Sequence, residues 1–304
     1  MRAAMTRNES RKVREIELKA ELLVDDGLAG QYQAVFKGFA SERAHVPARS
    51  LDRGLGTLVP GSGLREGRRL LEEHGASDSP ALVFMIDLCA SFDLGPIDRR
   101  KREWMAELAG VLAFSALRND DRVGLMLFTD DVELYVPPRR GRSHAMRVLR
   151  EIMFFAPRGR SSDVARAIDF AKRTLDRRAI TFLLSDFTMM EEFDAQMEQL
   201  RPKLAELNVR HDVVALSVND PCEFLLPEIC FWGQPECGPR PGIEVDTSNA
   251  RIRRSYSAEI ERRQLQLGLV ARSAGVDVLD LISDEPYLPV LTTFFSRRER
   301  RNSA

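Results

Sequence analysis

A chain of 304 residues, 44% hydrophobic and 30% charged, is long enough to bury one large core with room for an appendage. Its 45 basic and 46 acidic side chains leave a formal charge of −1, so no global field favours nucleic acid or an anionic membrane surface. Four cysteines without a CxxC pair exclude a disulfide framework, and no apolar run reaches membrane-spanning length. The N-terminus has no signal-like apolar stretch, so the expectation is a cytoplasmic protein with reduced thiols and no membrane insertion.

In chain order, residues 12–25 space Val13, Ile16, Leu18, Leu22 and Leu23 as an amphipathic helix, and the aromatic stretch GQYQAVFKGF (30–39) is expected to be extended. Composition then shifts. Residues 41–80 use only eleven residue types, with no aromatic residue, Ile, Met, Lys, Asn, Gln or Cys. Out-of-frame reading of GC-rich DNA gives such an alphabet, and a flexible insertion is the alternative; either way no core is expected there.

From residue 81 the pattern becomes regular. ALVFMID (81–87) is a continuous apolar run of the kind buried parallel strands show. A helix is predicted over 99–119, and strands 122–130 and 132–138 are close enough to pair as a hairpin. Helices follow at 143–155 and 161–178, the second with Ser161 or Ser162 as N-cap. Strand 179–187, helix 190–207, strand 211–218, helix 251–273, strand 276–282 and helix 287–301 complete the reading. This alternation implies an α/β fold, with a mostly parallel sheet and helices on both faces. Ligands of such sheets bind at the carboxyl ends of strands, and Asp87 and Asp186 both stand at such ends.

Between those aspartates, PRGRSSD places Ser162 at a helix start after a glycine-containing loop. Hydroxyls, carboxylates and water make the hard oxygen set that Mg²⁺ prefers. Polar strand ends with no metal are the plainer reading of the same residues.

The phrases ALVFMIDLCASFD, NDDRVGLMLF, YVPPRRGR, FLLSDF and VDTSNARIRRSY together resemble the von Willebrand factor A-like proteins of domain-of-unknown-function family 58, over most of residues 81–300. The resemblance implies a Rossmann-like sheet carrying a metal-ion-dependent adhesion site. By position its ligands fall on Asp87, Cys89, Ser91, Ser162 and Asp186, with Ser162 in place of the family's threonine. Cys89 offers a soft sulfur where a hydroxyl is expected, so weak Mg²⁺ binding is implied. The implied role is a non-enzymatic protein-binding module, an adaptor for a MoxR-type AAA+ ATPase in protein assembly or maturation. The implied organisation is an N-terminal helix and lead-in (1–40), the irregular segment (41–80), a von Willebrand factor A-like domain (81–284) and a C-terminal helix with a basic tail (285–304). The aromatic phrase that family members carry before the first sheet strand is missing, which also admits a partly inactivated member.

The alternative is a metal-dependent phosphoryl hydrolase using the strand-end aspartates. It needs a nucleophile and a general acid in reach, such as a second aspartate; Asp93 is the one candidate, and no lysine is expected to accompany the set. GSGLREG (61–67) is not a dinucleotide loop, since its spacing is wrong and no strand precedes it. His45, His74, His144 and His211 show no metal spacing, and His211 is expected to be a satisfied structural residue. The spacing of Cys222, Cys230 and Cys237 does not suit zinc. The run RRERR (297–301) is expected to be a solvated tail, and PPRRGR (137–142) a candidate contact surface.

Overall fold

The computed structural model describes residues 7–41, 80–89, 101–187, 192–224, 226, 228, 232–233 and 244–303. Ser91, Asp93, the glycine-rich stretch at 61–67 and nearly all of 41–80 lie outside them, so the expectations placed there stay expectations.

Strand β1 (Ala81–Asp87) is buried along its whole length, as its unbroken apolar sequence requires. It pairs in parallel with β2 (Arg122–Phe128) on one side and with β4 (Ala179–Ser185) on the other. Beyond β4 lies β5 (Asp212–Asn219). The two-residue strands β6 (Trp232–Gly233) and β7 (Glu244–Val245) pair separately, and β8 (Asp277–Ile282) joins β5 in parallel. The hairpin expected between β2 and its successor is present: β3 (Val132–Arg139) runs antiparallel to β2 and forms an edge of the sheet. Pro137 and Pro138 sit on that edge strand, where a missing N–H breaks no interior ladder.

Alternation along β1 divides the core in two. Leu82, Phe84 and Ile86 face a cluster shared with α1 (Arg7–Leu23), α2 (Ala29–Ser41), α3 (Lys101–Arg118), α4 (Arg142–Phe154) and a C-terminal helix over Tyr287–Asn302. Val83 and Met85 face a second cluster with α5 (Val164–Thr174), α6 (Phe193–Arg210) and the long helix Ala250–Ser273. The short helix α7 (Pro221–Phe224) precedes that long one, so the last two helices are α8 and α9. Each large apolar side chain sealed in these layers contributes about 1.5–3 kcal/mol. The expected α/β class, a mostly parallel sheet with helices on both faces, is what the structure has. No helix of the described residues is long and apolar enough to cross a membrane.

Residues 30–39 depart from expectation, being helical within α2 rather than extended. Tyr32, Val35 and Phe36 stand three and four apart and are all buried, which is one helical stripe. Phe36 meets Phe182 of β4 edge-on at 6.3 Å and Phe295 of α9 at 6.1 Å. A single π-helical turn, Val24–Leu28, joins α1 to α2, and Gly27 takes its positive φ of 101°.

The basic run at 297–301 is likewise not a free tail. Arg298 is buried, donates to Asp212 at 2.7 and 3.0 Å and to Asp277 at 2.7 Å, and lies over Phe36 and Phe294. Arg301 pairs with Asp277 at 2.8 Å. In PPRRGR, Arg142 reaches back to Glu17 and Glu21 of α1, an internal use of that basic patch.

Candidate functional site

The sheet order reverses between β1 and β4: from β1 the chain builds outward through β2 and β3, then returns to place β4 on the other side. Crevices form at the carboxyl ends of strands at such a switch point. Ile86 is in register with Leu184, so Asp87 ends β1 beside Ser185, and Asp186 follows directly.

Asp87 is completely buried, and three donors hold its carboxylate. Ser162 Oγ donates to Oδ2 at 2.5 Å, Ser185 Oγ to Oδ2 at 2.8 Å, and the Cys89 amide to Oδ1 at 2.9 Å. The loop carrying Ser162 is fixed from below by the β2–β3 hairpin. Glu133 Oε1 accepts from the Gly159 amide at 2.9 Å and from Thr129 Oγ1 at 2.7 Å, while Oε2 accepts from the Arg158 amide at 2.7 Å. A Cβ on Gly159 would fall 1.9 Å from Asp130 Oδ1, so this close approach requires glycine. The N-cap of α5 is Asp163, which accepts from the Arg166 amide at 2.8 Å, and not Ser161 or Ser162. That correction matters, because Asp163 meets the helix's need for a cap and leaves the Ser162 hydroxyl for Asp87.

Asp87, Cys89 and Asp186 gather their ligand-type atoms within 4.8 Å of one another, all three buried. The structure thus brings Asp87, Cys89, Ser162 and Asp186 together, while Ser91 lies outside the described residues. Cys89 Sγ is 3.9 Å from Asp186 Oδ1.

The largest addition to the expected set is a lysine. Lys101 heads α3 with no solvent exposure, its Nζ 2.9 and 3.0 Å from the two carboxylate oxygens of Glu223 and 3.5 Å from Asp186 Oδ2. The expectation that no lysine accompanies the aspartates is therefore wrong. Lys101 is fourteen positions after Asp87 and Glu223 lies on α7, so sequence proximity gave no sign of either. Ser185 was missed too, although FLLSD beside FMID on adjacent parallel strands carries the signal.

Burial pushes the Asp87 carboxyl up to about 7, with the neighbouring Asp186 charge adding to the rise and the Ser162, Ser185 and Cys89 hydrogen bonds opposing it. Burial alone would depress Lys101, but Asp186 and Glu223 outweigh it and hold the ammonium above its usual value.

The fit to a hard divalent cation follows from the donors. Two carboxylates and a hydroxyl would supply oxygen ligands. Cys89 is the misfit, since sulfur adds little to Mg²⁺.

Residues 64–266 match the family described as "Protein of unknown function DUF58". The chain belongs to this family. Among relatives, the DUF58 chain is 25% identical over 296 residues to the uncharacterized protein Rv1480 of Mycobacterium tuberculosis H37Rv, covering 95% of this chain and 89% of that one. It is 29% identical to the uncharacterized protein MAV169 of Mycobacterium avium over 169 residues, 54% of this chain and 94% of that one. Similar solved structures include BatB from Bacteroides thetaiotaomicron (TM-score 0.42, 14% identity, 74% of this chain and 100% of that one) and the SpRpn10 VWA domain (TM-score 0.42, 11% identity, 71% and 95%).

His211, expected to be satisfied, is not. It is buried just before β5, and neither ring nitrogen has a hydrogen-bond partner among the described residues. Desolvation, with Arg210 and Arg178 nearby, depresses it to about 4.

Proposed function

We propose that this DUF58 chain is a non-enzymatic protein-binding module of von Willebrand factor A type, whose docking point is the β1–β4 crevice. The observation that carries the reading is the convergence of Asp87, Ser162 and Asp186 at one strand-end crevice, two carboxylates and a hydroxyl fixed by the fold. A divalent cation held by these residues would supply an open coordination position for a partner's carboxylate. The chain's own part is positional. Ser185 and the Cys89 amide orient Asp87, Glu133 fixes the loop that presents Ser162, and Lys101 steadies Asp186. Ser162 is only half-buried, whereas the aspartates are sealed, so a partner reaches the crevice from the Ser162 side.

The family resemblance supports a MoxR-type AAA+ ATPase as that partner. Lys101 supplies the lysine that a hydrolase reading lacked, but its ammonium is enclosed and engaged by Glu223 and Asp186, which suits charge balance better than contact with a substrate.

The test is association of the purified full chain with the MoxR-type ATPase of its own source, with Mg²⁺ and with chelator. Binding should require the metal and fall sharply in Ser162→Ala. Binding unaffected by both chelator and the substitution removes the crevice from the interaction. Asp186→Ala is the poorer probe, because it also strips the buried Lys101 of a partner.

A further inference from the structure

We propose that α8 is the interface for a second copy of this chain, the two α8 helices packing antiparallel across Leu265 and Leu269. The inference goes beyond the docking reading and does not depend on it.

α8 buries Ile260, Leu267 and Ala271 toward the core, as one stripe of an amphipathic helix should. Leu265 and Leu269 stand on its outer side, 72% and 64% exposed. Residues four apart are neighbours on a helix surface, so the two side chains make one apolar ridge that the fold itself leaves in water. Glu261 lies one turn before Leu265 and Arg272 one turn after Leu269, and the helical rotation puts both on the same flank of the ridge. Both are exposed, and neither side chain has an ion-pair partner among the described residues. The charges beside them are engaged within the chain: Arg262 pairs with Asp194 at 2.9 Å and with Glu259 at 2.8 Å, and Arg263 with Glu259 at 2.8 Å.

Along the helix this face runs acid, leucine, leucine, base. Turned end for end, the same face of a second copy runs base, leucine, leucine, acid. A two-fold axis at the height of Leu267 therefore sets Leu265 against Leu269 of the second copy, and Glu261 against its Arg272, each contact occurring twice. Parallel pairing would instead leave Arg272 facing no acid on the opposing α8. A similar ridge on α1, Leu18 and Leu22, is 56% and 67% exposed, but the acids beside it, Glu17 and Glu21, are taken by Arg142. The face of α8 joins its ridge to uncommitted charges of both signs.

One helix face per copy is a small interface, under about 1,200 Å², so the dimer forms and dissociates readily. α8 ends where β8 is about to begin, so it runs against the strand direction. Antiparallel α8 helices consequently point the strand-end crevices of the two copies in opposite directions.

Sedimentation equilibrium of the full chain at low salt, from micromolar concentrations upward, tests the proposal. The parent should show a monomer–dimer equilibrium that chelator leaves unchanged. Leu269→Gln should weaken the dimer at least about tenfold, since the leucine contact occurs twice. Glu261→Arg and Arg272→Glu should each weaken it about fivefold, because each reversal turns two attractive pairs repulsive. The double variant E261R/R272E should return to within about twofold of the parent. The two positions are three turns apart in one helix, so that recovery can come only from the other copy. A parent that stays monomeric overturns the proposal and leaves the ridge to a different protein. A dimer indifferent to Leu269→Gln, charge reversals equal to the parent, or losses that add in the double variant overturn it as well. Loss of Mg²⁺-dependent docking with the dimer intact defeats the crevice reading alone.

Discussion

The hydroxyl of Ser185 donates to Asp87 Oδ2 at 2.8 Å, joining β4 to β1 by a side-chain bond at the point where both strands end. Since Asp87 and Ser185 are both fully enclosed, water cannot replace this bond when it is lost. Ser185→Ala should therefore destabilise the protein by about 1–3 kcal/mol in denaturant titrations and weaken Mn²⁺ binding through a less well-held Asp87. Unchanged stability would mean that Ser162 and the Cys89 amide suffice to hold the carboxylate.

Cys89 should limit the metal. Its sulfur stands 3.9 Å from Asp186 Oδ1, and the family resemblance implies a hydroxyl ligand at this position. Calorimetry with Mg²⁺ is expected to show tighter binding for Cys89→Ser than for the parent. Equal affinities would place residue 89 outside the ligand shell.

Glu133 should govern the order of the loop that presents Ser162. Its carboxylate takes the amides of Arg158 and Gly159 and the Thr129 hydroxyl. Glu133→Ala leaves those amides without their acceptor, so hydrogen exchange at residues 158 and 159 should accelerate while exchange in β1 and β4 stays slow. Mn²⁺ affinity should fall with it. Unaltered exchange at 158 and 159 would show that the loop is held by other contacts.

His211 should make the fold acid-sensitive. Its folded pKa of about 4 lies below the ordinary 6.5, because the enclosed ring, near Arg210 and Arg178, resists protonation. Between those values the unfolded chain takes up a proton that the folded chain does not. Stability is therefore fully present above 6.5 and is lost as pH falls, by about 3 kcal/mol by the time pH reaches 4. Denaturation of the parent and of His211→Phe at pH 7 and pH 4.5 checks this, the difference between the two proteins isolating the histidine. Equal pH dependence in both would assign the acid sensitivity elsewhere.

What the sequence disclosed follows from how far each signal travels along the chain. Strand-end aspartates are local, and FMID and FLLSD declared both Asp87 and Asp186 along with the edge of the sheet they share. The hairpin of β2 and β3 was equally local. Residues 30–39 misled because aromatic content suggested a strand, while the three-and-four spacing of Tyr32, Val35 and Phe36 carried the decisive message. Lys101 was hidden for a different reason. A lysine at the head of a helix reads as solvated, and its burial is made tolerable by Asp186 and by the distant Glu223, brought round on α7 and fastened by Tyr256. Ser161 or Ser162 read as the cap until the fold showed Asp163 facing the Arg166 amide and Ser162 facing Asp87.

The prolines of β3 bear on how another protein can approach. An incoming strand aligned along that margin would look for amide hydrogens in sequence, and at Pro137 and Pro138 there are none to offer. Growth of the sheet by annexing a partner's backbone is thereby discouraged on this flank. On this flank a visitor must instead recognise side chains.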